Sequence, residues 1–139
     1  MNEIKEYTEK MFEDIKHIDE VGNEYWHARE LQRVLGYSQW RRFKNTISKA
    51  KTSCNNSNVR VEDHFANVGK MIKLGKGGTR NINDYKLSCY ACYLIAQNGD
   101  SRKKVIALAQ TYFAIQTRKM ELTEREYSSL TEEEKRVYQ

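Results

Sequence analysis

Near the start of the chain, apolar residues recur every three or four positions, which is the spacing of one face of an α-helix. Asn2 can cap this first helix, and the Gly22-Asn23 turn signal ends it. The next residues, Glu24-Tyr25-Trp26, predict a short extended segment. The apolar positions that predict the helix are Ile4, Tyr7, Met11, Ile15 and Ile18.

Residues 28–51 predict two helices joined by a tight turn. Gly36 directly follows the apolar face of the first helix, as a left-handed C-cap should. Ser38 is the predicted N-cap of the second helix, which ends near Lys51-Thr52, and residues 54–58 predict a loop. The buried face of the second helix covers an arc of about 80°. It consists of Trp40, Phe43, Ile47 and Ala50.

The middle of the chain carries strand signals. Two short runs of strand-forming residues surround the Gly-rich turn at residues 75–78, and they predict a β-hairpin at about 68–86. Residues 61–67 are ambiguous, and a short helical turn is one interpretation.

Two helices are predicted after the hairpin. Leu87–Gln97 is apolar nearly all round, which indicates a buried helix. Asp100 or Ser101 is expected to cap a final long helix that runs at least to Ile115.

The pattern as a whole predicts an α+β fold, with a mostly helical domain over residues 1–122 and a small antiparallel sheet. Residues 123–139 are polar and predict the start of a further helical segment. Thr131–Glu134 is typical of a capped helix start that Gln139 interrupts, so we expect the chain to belong to a longer protein. The predicted sheet consists of Tyr25, residues 68–74 and residues 79–86.

The charge is unevenly distributed along the 139 residues, whose net charge is +5. Residues 1–20 hold three lysines and seven acidic residues, whereas residues 21–60 hold eight basic and two acidic residues. Residues 101–119 hold five basic residues and no acid, and residues 120–139 hold three basic and six acidic residues. A basic middle between acidic ends indicates a surface that faces a polyanion.

The apolar pattern contains no run near the length of about 18 residues that a membrane helix needs. The N-terminus also lacks the apolar stretch of a signal peptide. We therefore expect a cytoplasmic protein without a membrane partner, whose three cysteines remain thiols.

The second predicted helix carries the first candidate contacts to nucleic acid. Its polar residues lie on an arc of roughly 120° beside the buried face, so a helix–turn–helix arrangement could place them in a major groove. Arginine can pair with guanine, asparagine with adenine, and lysine with phosphate. An ordinary solvated helix face is the alternative. The candidates are Arg41, Arg42, Asn45, Ser48 and Lys49.

Two further basic groups could contact phosphates. Lys70, Lys73, Lys76 and Arg80 lie in or beside the hairpin, where a basic wing could cross a phosphate backbone. Lysines that protect a sheet edge from aggregation are the alternative. A third group crowds a predicted helix N-terminus, where an anion would be favourable, and a charged surface turn neutralised by acidic residues elsewhere is the alternative. This group is Arg102, Lys103 and Lys104.

The sequence gives little support for a metal site, a cofactor or a catalytic site. Cys54, His64, Cys89 and Cys92 could supply four zinc ligands, but Cys89 and Cys92 belong to a buried helical stripe and the spacing is atypical. The Gly-rich turn lacks the spacing of a phosphate-binding loop. His17, His27 and His64 are scattered, and no nucleophile has a base beside it, so we expect no enzyme and no cofactor.

Two stretches resemble known families. Residues 25–37, YWHARELQRVLGY, are similar to the opening of the BRO-type N-terminal domain of viral and phage proteins. Residues 98–118, NGDSRKKVIALAQTYFAIQTR, resemble the bacterial family of DNA-damage-inducible D proteins, as do the segments FEDI at 12–15 and WRRF at 40–43. The resemblance spans roughly residues 10–139.

The resemblance implies a BRO-like domain with DNA binding, in a group that includes phage antirepressors. It also implies a role in the bacterial SOS response and a longer protein with a further charged, helical part. The family brings no catalytic residues to assign.

Two hypotheses follow. The first is a non-enzymatic DNA-binding domain of an SOS-induced protein, which would bind single- or double-stranded DNA. The second is a protein-interaction module that regulates a DNA-repair protein such as a recombinase, or that acts as an antirepressor on another regulator. Oligomeric state stays open.

Overall fold

The computed structural model describes residues 9–130, which form the predicted α+β fold. Among these residues no helix combines the length and the apolar character that crossing a membrane requires. The elements are a helical segment at 9–14 (α1), β1 Lys16–Ile18, β2 Glu24–His27, α2 Ala28–Val34, α3 Trp40–Asn56, a 3₁₀ turn Val61–Asp63, β3 Phe65–Lys73, β4 Thr79–Leu87, α4 Cys89–Gln97 and α5 Lys104–Ser128.

The strands form one four-stranded antiparallel sheet in the order β1-β2-β4-β3. The predicted hairpin is confirmed, and its strands are longer than expected, since pairing runs from Phe65↔Leu87 to Lys73↔Thr79. Leu74 and Gly78 close the turn through a 2.8 Å hydrogen bond, and Gly77 has a φ of 89°. This positive φ favours glycine, which explains why the turn is rich in glycine.

Trp26 lies at the centre of the core and is 0% exposed. Its ring contacts Phe113 edge-on at 5.2 Å between centroids, and its Nε1–H donates to the Phe12 carbonyl over 3.0 Å. Phe12 in turn packs on Tyr112 and Phe113. The short strand β2 is therefore fixed to α1 and α5 by one large aromatic side chain.

The first predicted helix is wrong in its second half, because Lys16–Ile18 forms β1 and pairs with β2. The Asp19 carboxylate accepts the N–H groups of Val21 and Asn23 and closes the β1–β2 turn. Ile18 is 63% exposed, so its place in the helical spacing was coincidental. The cap Asn2 and the positions Ile4 and Tyr7 lie outside the described residues.

The start and end of α3 differ from the prediction. Gln39, not Ser38, occupies the N-cap, and its side chain makes no capping hydrogen bond. The helix continues to Asn56 instead of ending near residue 52, because Cys54 extends the buried stripe by one further turn. The predicted loop at 54–58 therefore begins only after Asn56.

The two predicted helices after the hairpin are present with different ends, and they pack against each other. Ser88 caps α4, since its Oγ accepts the Ala91 N–H over 3.0 Å. Helix α5 runs unbroken across residues 122 and 123, where the sequence suggested a division. That division stays a prediction, and the helix start predicted at Thr131 lies outside the described residues.

Candidate nucleic-acid interface

The polar face of α3 lies in solvent, as the spacing predicted. Phe43, Ile47 and Ala50 are buried, and they fix the helix so that the opposite side chains point outward. Among residues 9–130, no acidic side chain lies within ion-pairing distance of the exposed cations on this face. The exposed residues are Arg41, Arg42, Lys44, Asn45, Ser48 and Lys49.

The turn before α3 has the geometry of a Schellman C-cap. Gly36 has a φ of 80°, its N–H bonds to the Arg33 carbonyl, and the Tyr37 N–H bonds to the Gln32 carbonyl over 3.0 Å. Gln32 Nε2 also donates to the Tyr37 carbonyl over 3.0 Å. The predicted Gly36 cap is therefore confirmed, and it sets the path from α2 into α3.

The start of α2 is capped from another element. His27 occupies the N-cap and makes no side-chain capping bond. Instead the carboxylate of Asp84, on β4, accepts the Arg29 N–H over 3.0 Å. Asp84 is 2% exposed and also accepts the Tyr85 N–H. This buried acid joins α2 to the hairpin.

A basic cleft of about 400 Å³ lies between α2 and the hairpin. Its lining includes three cations and no acid, and two isoleucines contribute the apolar surface. A cleft of this size accommodates a small ligand or one phosphate-bearing segment of a polymer. The lining residues are Arg29, Gln32, Arg33, Tyr37, Ser38, Lys70, Ile72 and Ile82.

Arg29 is the most constrained cation of the basic cleft. Its guanidinium lies 3.8 Å from the centre of the Trp40 ring, and its Nε donates to the Asn83 carbonyl over 2.8 Å. Partial burial lowers the pKa of Arg29, the Asp84 carboxylate opposes this, and the positive charges of Arg33 and Arg80 lower that pKa further. A bound anion would relieve the repulsion among the three guanidinium groups.

The predicted wing residues separate into two places. Lys70 lines the basic cleft, and register pairing of Lys70 with Ile82 and of Ile72 with Arg80 puts Arg80 on the same face. Lys73 is exposed at the end of β3, and Lys76 is exposed in the turn. The hairpin thus offers Lys70 to the cleft lining, Arg80 on the same face, and two cations at its tip.

Sequence reasoning missed Arg29 and Arg33, which complete the cleft. Their i,i+4 spacing on a helix places both on one face, and this was the available signal.

Two members of the third basic group, Arg102 and Lys103, precede α5, and Lys104 is its first residue. Lys103 is the N-cap, so the prediction that Asp100 or Ser101 caps this helix is wrong. Asp100 instead binds the Arg102 guanidinium through two contacts of 3.0 Å, which lower the pKa of the Asp100 carboxyl. Lys103 Nζ lies 5.8 Å from the centre of the Tyr37 ring, which places it beside the basic cleft. Lys104 is exposed in the first turn of α5.

A second cavity of about 420 Å³ lies beside the 3₁₀ turn, α4 and α5, and it is unsuited to a polyanion because Glu121 and Glu124 line it. The Nδ1 atom of His64, which also lines this cavity, is 2.6 Å from Ser88 Oγ.

The three cysteines are buried and unpaired, and burial raises the pKa of each thiol.

Comparison with known proteins decides the family. Residues 14–114 match the model of the BRO family, N-terminal domain. The chain belongs to the BRO family. The matched segment of this BRO-family domain includes β1 to β4, α2, α3 and the whole basic cleft, and it ends within α5.

One curated relative of this BRO-family chain is DNA damage-inducible protein D of Escherichia coli strain K12, which is 48% identical over 128 residues. The alignment covers 91% of this chain and 47% of the relative, so the chain spans about half the length of that protein. The family resemblance seen in the sequence is therefore confirmed. No solved structure matches the chain.

Proposed function

We propose that this BRO-family chain is a non-enzymatic DNA-binding module of a cytoplasmic DNA-damage response protein. The observation that carries the proposal is the basic cleft, where cations from α2 and the hairpin converge and no lining residue is acidic. Cations placed together without acidic partners repel one another, and phosphate groups relieve that cost. The name of the E. coli relative supports the link to DNA damage.

The proposed contacts have two parts. The basic cleft holds the phosphate backbone through Arg29, Arg33 and Lys70, and Arg80 and Lys103 lie close enough to extend the contact. The exposed face of α3 supplies Arg41, Arg42, Asn45 and Lys49, which contact further phosphates or base edges. Tyr37 lies between the two parts, since it lines the cleft and its ring is 5.0 Å from that of Phe43 on α3.

Four other predicted residues lie outside the cleft lining and outside the α3 face. Lys73 and Lys76 lie at the hairpin tip, away from the cleft lining, and we propose them as outer phosphate contacts. Arg102 is engaged by Asp100, so a phosphate would have to replace that carboxylate. Lys104 is exposed and adds to the local positive charge.

A salt titration tests the function. We expect labelled DNA to bind the chain near 50 mM salt and to dissociate as salt rises, with fluorescence anisotropy measured for duplex and single-stranded probes of several sequences. Absence of binding to every probe near 50 mM salt would contradict the proposal. Comparison of the probes distinguishes duplex from single-stranded DNA.

Replacing Arg41 and Arg42 together by alanine is expected to reduce the slope of log K against log salt by up to about two units, because each arginine would neutralise one phosphate. The measurement is the same anisotropy titration. The matched control is Arg118→Ala with Lys119→Ala, an exposed pair on α5 outside the proposed contacts. If binding persists with an unchanged slope, α3 does not contact the phosphates.

A protein-interaction module is the second candidate, and one observation favours it. The outer part of α5 keeps apolar side chains in solvent, among them Ile115, Met120 and Leu122. Such residues can bind a repair protein or a regulator. Recovery of one protein from damaged cells by the chain, insensitive to nuclease and lost in Met120→Ser with Leu122→Ser, would support this candidate. Recovery that depends on DNA would argue against it.

A further inference from the structure

Three side chains with metal-binding atoms meet on the sheet at a place separate from the basic cleft. They are His17 on β1, His27 at the end of β2, and Glu30 on α2, and their ligand atoms all lie within 4.8 Å of one another. His17 Nε2 is 2.6 Å from Glu30 Oε1, and the two imidazole rings lie 4.8 Å apart. The three side chains are 30–38% exposed, so an ion can reach them without unfolding.

The His27 ring has a feature that the fold alone does not explain. Its Nδ1 is buried and is the one buried side-chain nitrogen or oxygen in residues 9–130 without a hydrogen-bond partner. An unpaired buried polar atom carries a cost in stability. The nearest carboxylate is Asp84 Oδ2, 3.8 Å away, and Asp84 is 2% exposed. A histidine metal ligand usually donates its other ring N–H to a carboxylate, and a small rotation of the His27 ring would complete that hydrogen bond to Asp84 while Nε2 faces the ion.

We infer that His17, His27 and Glu30 form a binding site for Zn²⁺. Two imidazole nitrogens and one carboxylate are a common zinc donor set, and they leave a fourth position for water. Zinc bonds of about 2.0–2.1 Å in a tetrahedron place neighbouring ligand atoms about 3.4 Å apart, which the present separations bracket. The 2.6 Å contact between His17 Nε2 and Glu30 Oε1 would have to open by rotation of these side chains to reach this spacing.

The charges around the site are compatible with a cation. Lys86 is the cross-strand partner of His27 and so a positive neighbour of the site, and its Nζ lies 4.3 Å from the centre of the Tyr25 ring, which stacks on His17. Asp19 accepts this lysine as an ion-pair partner at 3.8 Å. Asp84 and Glu30 add negative charge on the side of α2. Bound zinc would join β1, β2 and α2, and so hold the helix that carries Arg29 and Arg33.

The test uses the chain without a histidine tag and Co²⁺ as a spectroscopic substitute for Zn²⁺. We expect one equivalent of Co²⁺ to produce the visible absorption of a four-coordinate ion, and Zn²⁺ to displace it. His27→Gln and Glu30→Gln each abolish the signal. The matched control is His64→Gln, because His64 is the remaining histidine and lies outside the site. Absence of a one-equivalent signal in the unmodified chain overturns the inference, whatever the variants do.

A second measurement separates a built site from loose surface binding. Zn²⁺ is expected to raise the Tm of the unmodified chain and of His64→Gln by several degrees, and to leave Tm unchanged in His27→Gln. In ¹⁵N spectra of the imidazoles, His17 and His27 shift with one equivalent of Zn²⁺ while His64 does not. Equal shifts in all three histidines, or equal affinity in every variant, would show that His17 and Glu30 form only a hydrogen-bonded pair.

Discussion

Replacing Arg33 and Lys70 together by glutamate is expected to weaken DNA binding by about a hundredfold at 0.1 M salt. Each neutralised phosphate contributes roughly 0.9 in log K for every tenfold decrease in salt, so two lost contacts account for nearly all of that factor. The new carboxylates also repel the backbone. Anisotropy titration with the probe that binds most tightly measures the effect. Neither Arg33 nor Lys70 makes an ion pair within residues 9–130, so the two replacements break none, and circular dichroism checks that the variant is folded.

The control for this variant must have the same net charge. Lys119→Glu with Arg125→Glu changes two exposed cations on α5 and makes the same charge change. We expect the control to lose less than about tenfold, because it acts only through long-range repulsion. Equal losses in the two variants would mean that total charge, and not the basic cleft, governs binding.

Trp26→Ala is expected to lower the free energy of unfolding by about 4 kcal/mol. The side chain is fully buried, its ring packs on Phe113, and its Nε1–H is bonded to the Phe12 carbonyl, so alanine leaves a cavity and an unpaired acceptor. The native state of a domain is typically only about 5–15 kcal/mol more stable than the unfolded chain. Urea unfolding followed by circular dichroism measures the change.

Trp40→Ala is the matched control for Trp26→Ala, since it removes the other tryptophan of the chain. Trp40 is half-buried, and its ring packs beneath Arg29, which lines the basic cleft. We expect a loss below about 2 kcal/mol, together with weaker DNA binding. A Trp40→Ala variant as unstable as Trp26→Ala would show that the core is centred elsewhere.

Local signals were enough to predict α2, α3 and the hairpin. Gly36 adopts a positive φ, which follows from its place after an apolar helical stripe. The glycines at 75–78 form a turn between two strands of similar length. The outward face of α3 follows from the burial of Phe43 and Ile47. These features depend on residues close in sequence, so spacing alone predicts them.

Features that depend on distant pairing could not be predicted in this way. β1 exists because Lys16–Ile18 pairs with β2, although its apolar spacing is also that of a helix. The basic cleft combines cations of α2 and β3, and the cluster at His17 combines β1, β2 and α2. No single segment carries either pattern, and only the strand order brings these side chains together.

The cap that Asp84 provides makes the folding of α2 depend on the folding of the hairpin. Helix α2 has only seven residues, which is too few for a stable isolated helix. The carboxylate that caps it belongs to Asp84 on β4, 55 residues after Arg29, so the cap forms only when the intervening chain has closed into a loop. The helix and the hairpin therefore gain and lose structure as one cooperative unit. A ligand that binds the hairpin therefore also stabilises α2. It keeps Arg29 and Arg33 in position on the opposite wall of the cleft.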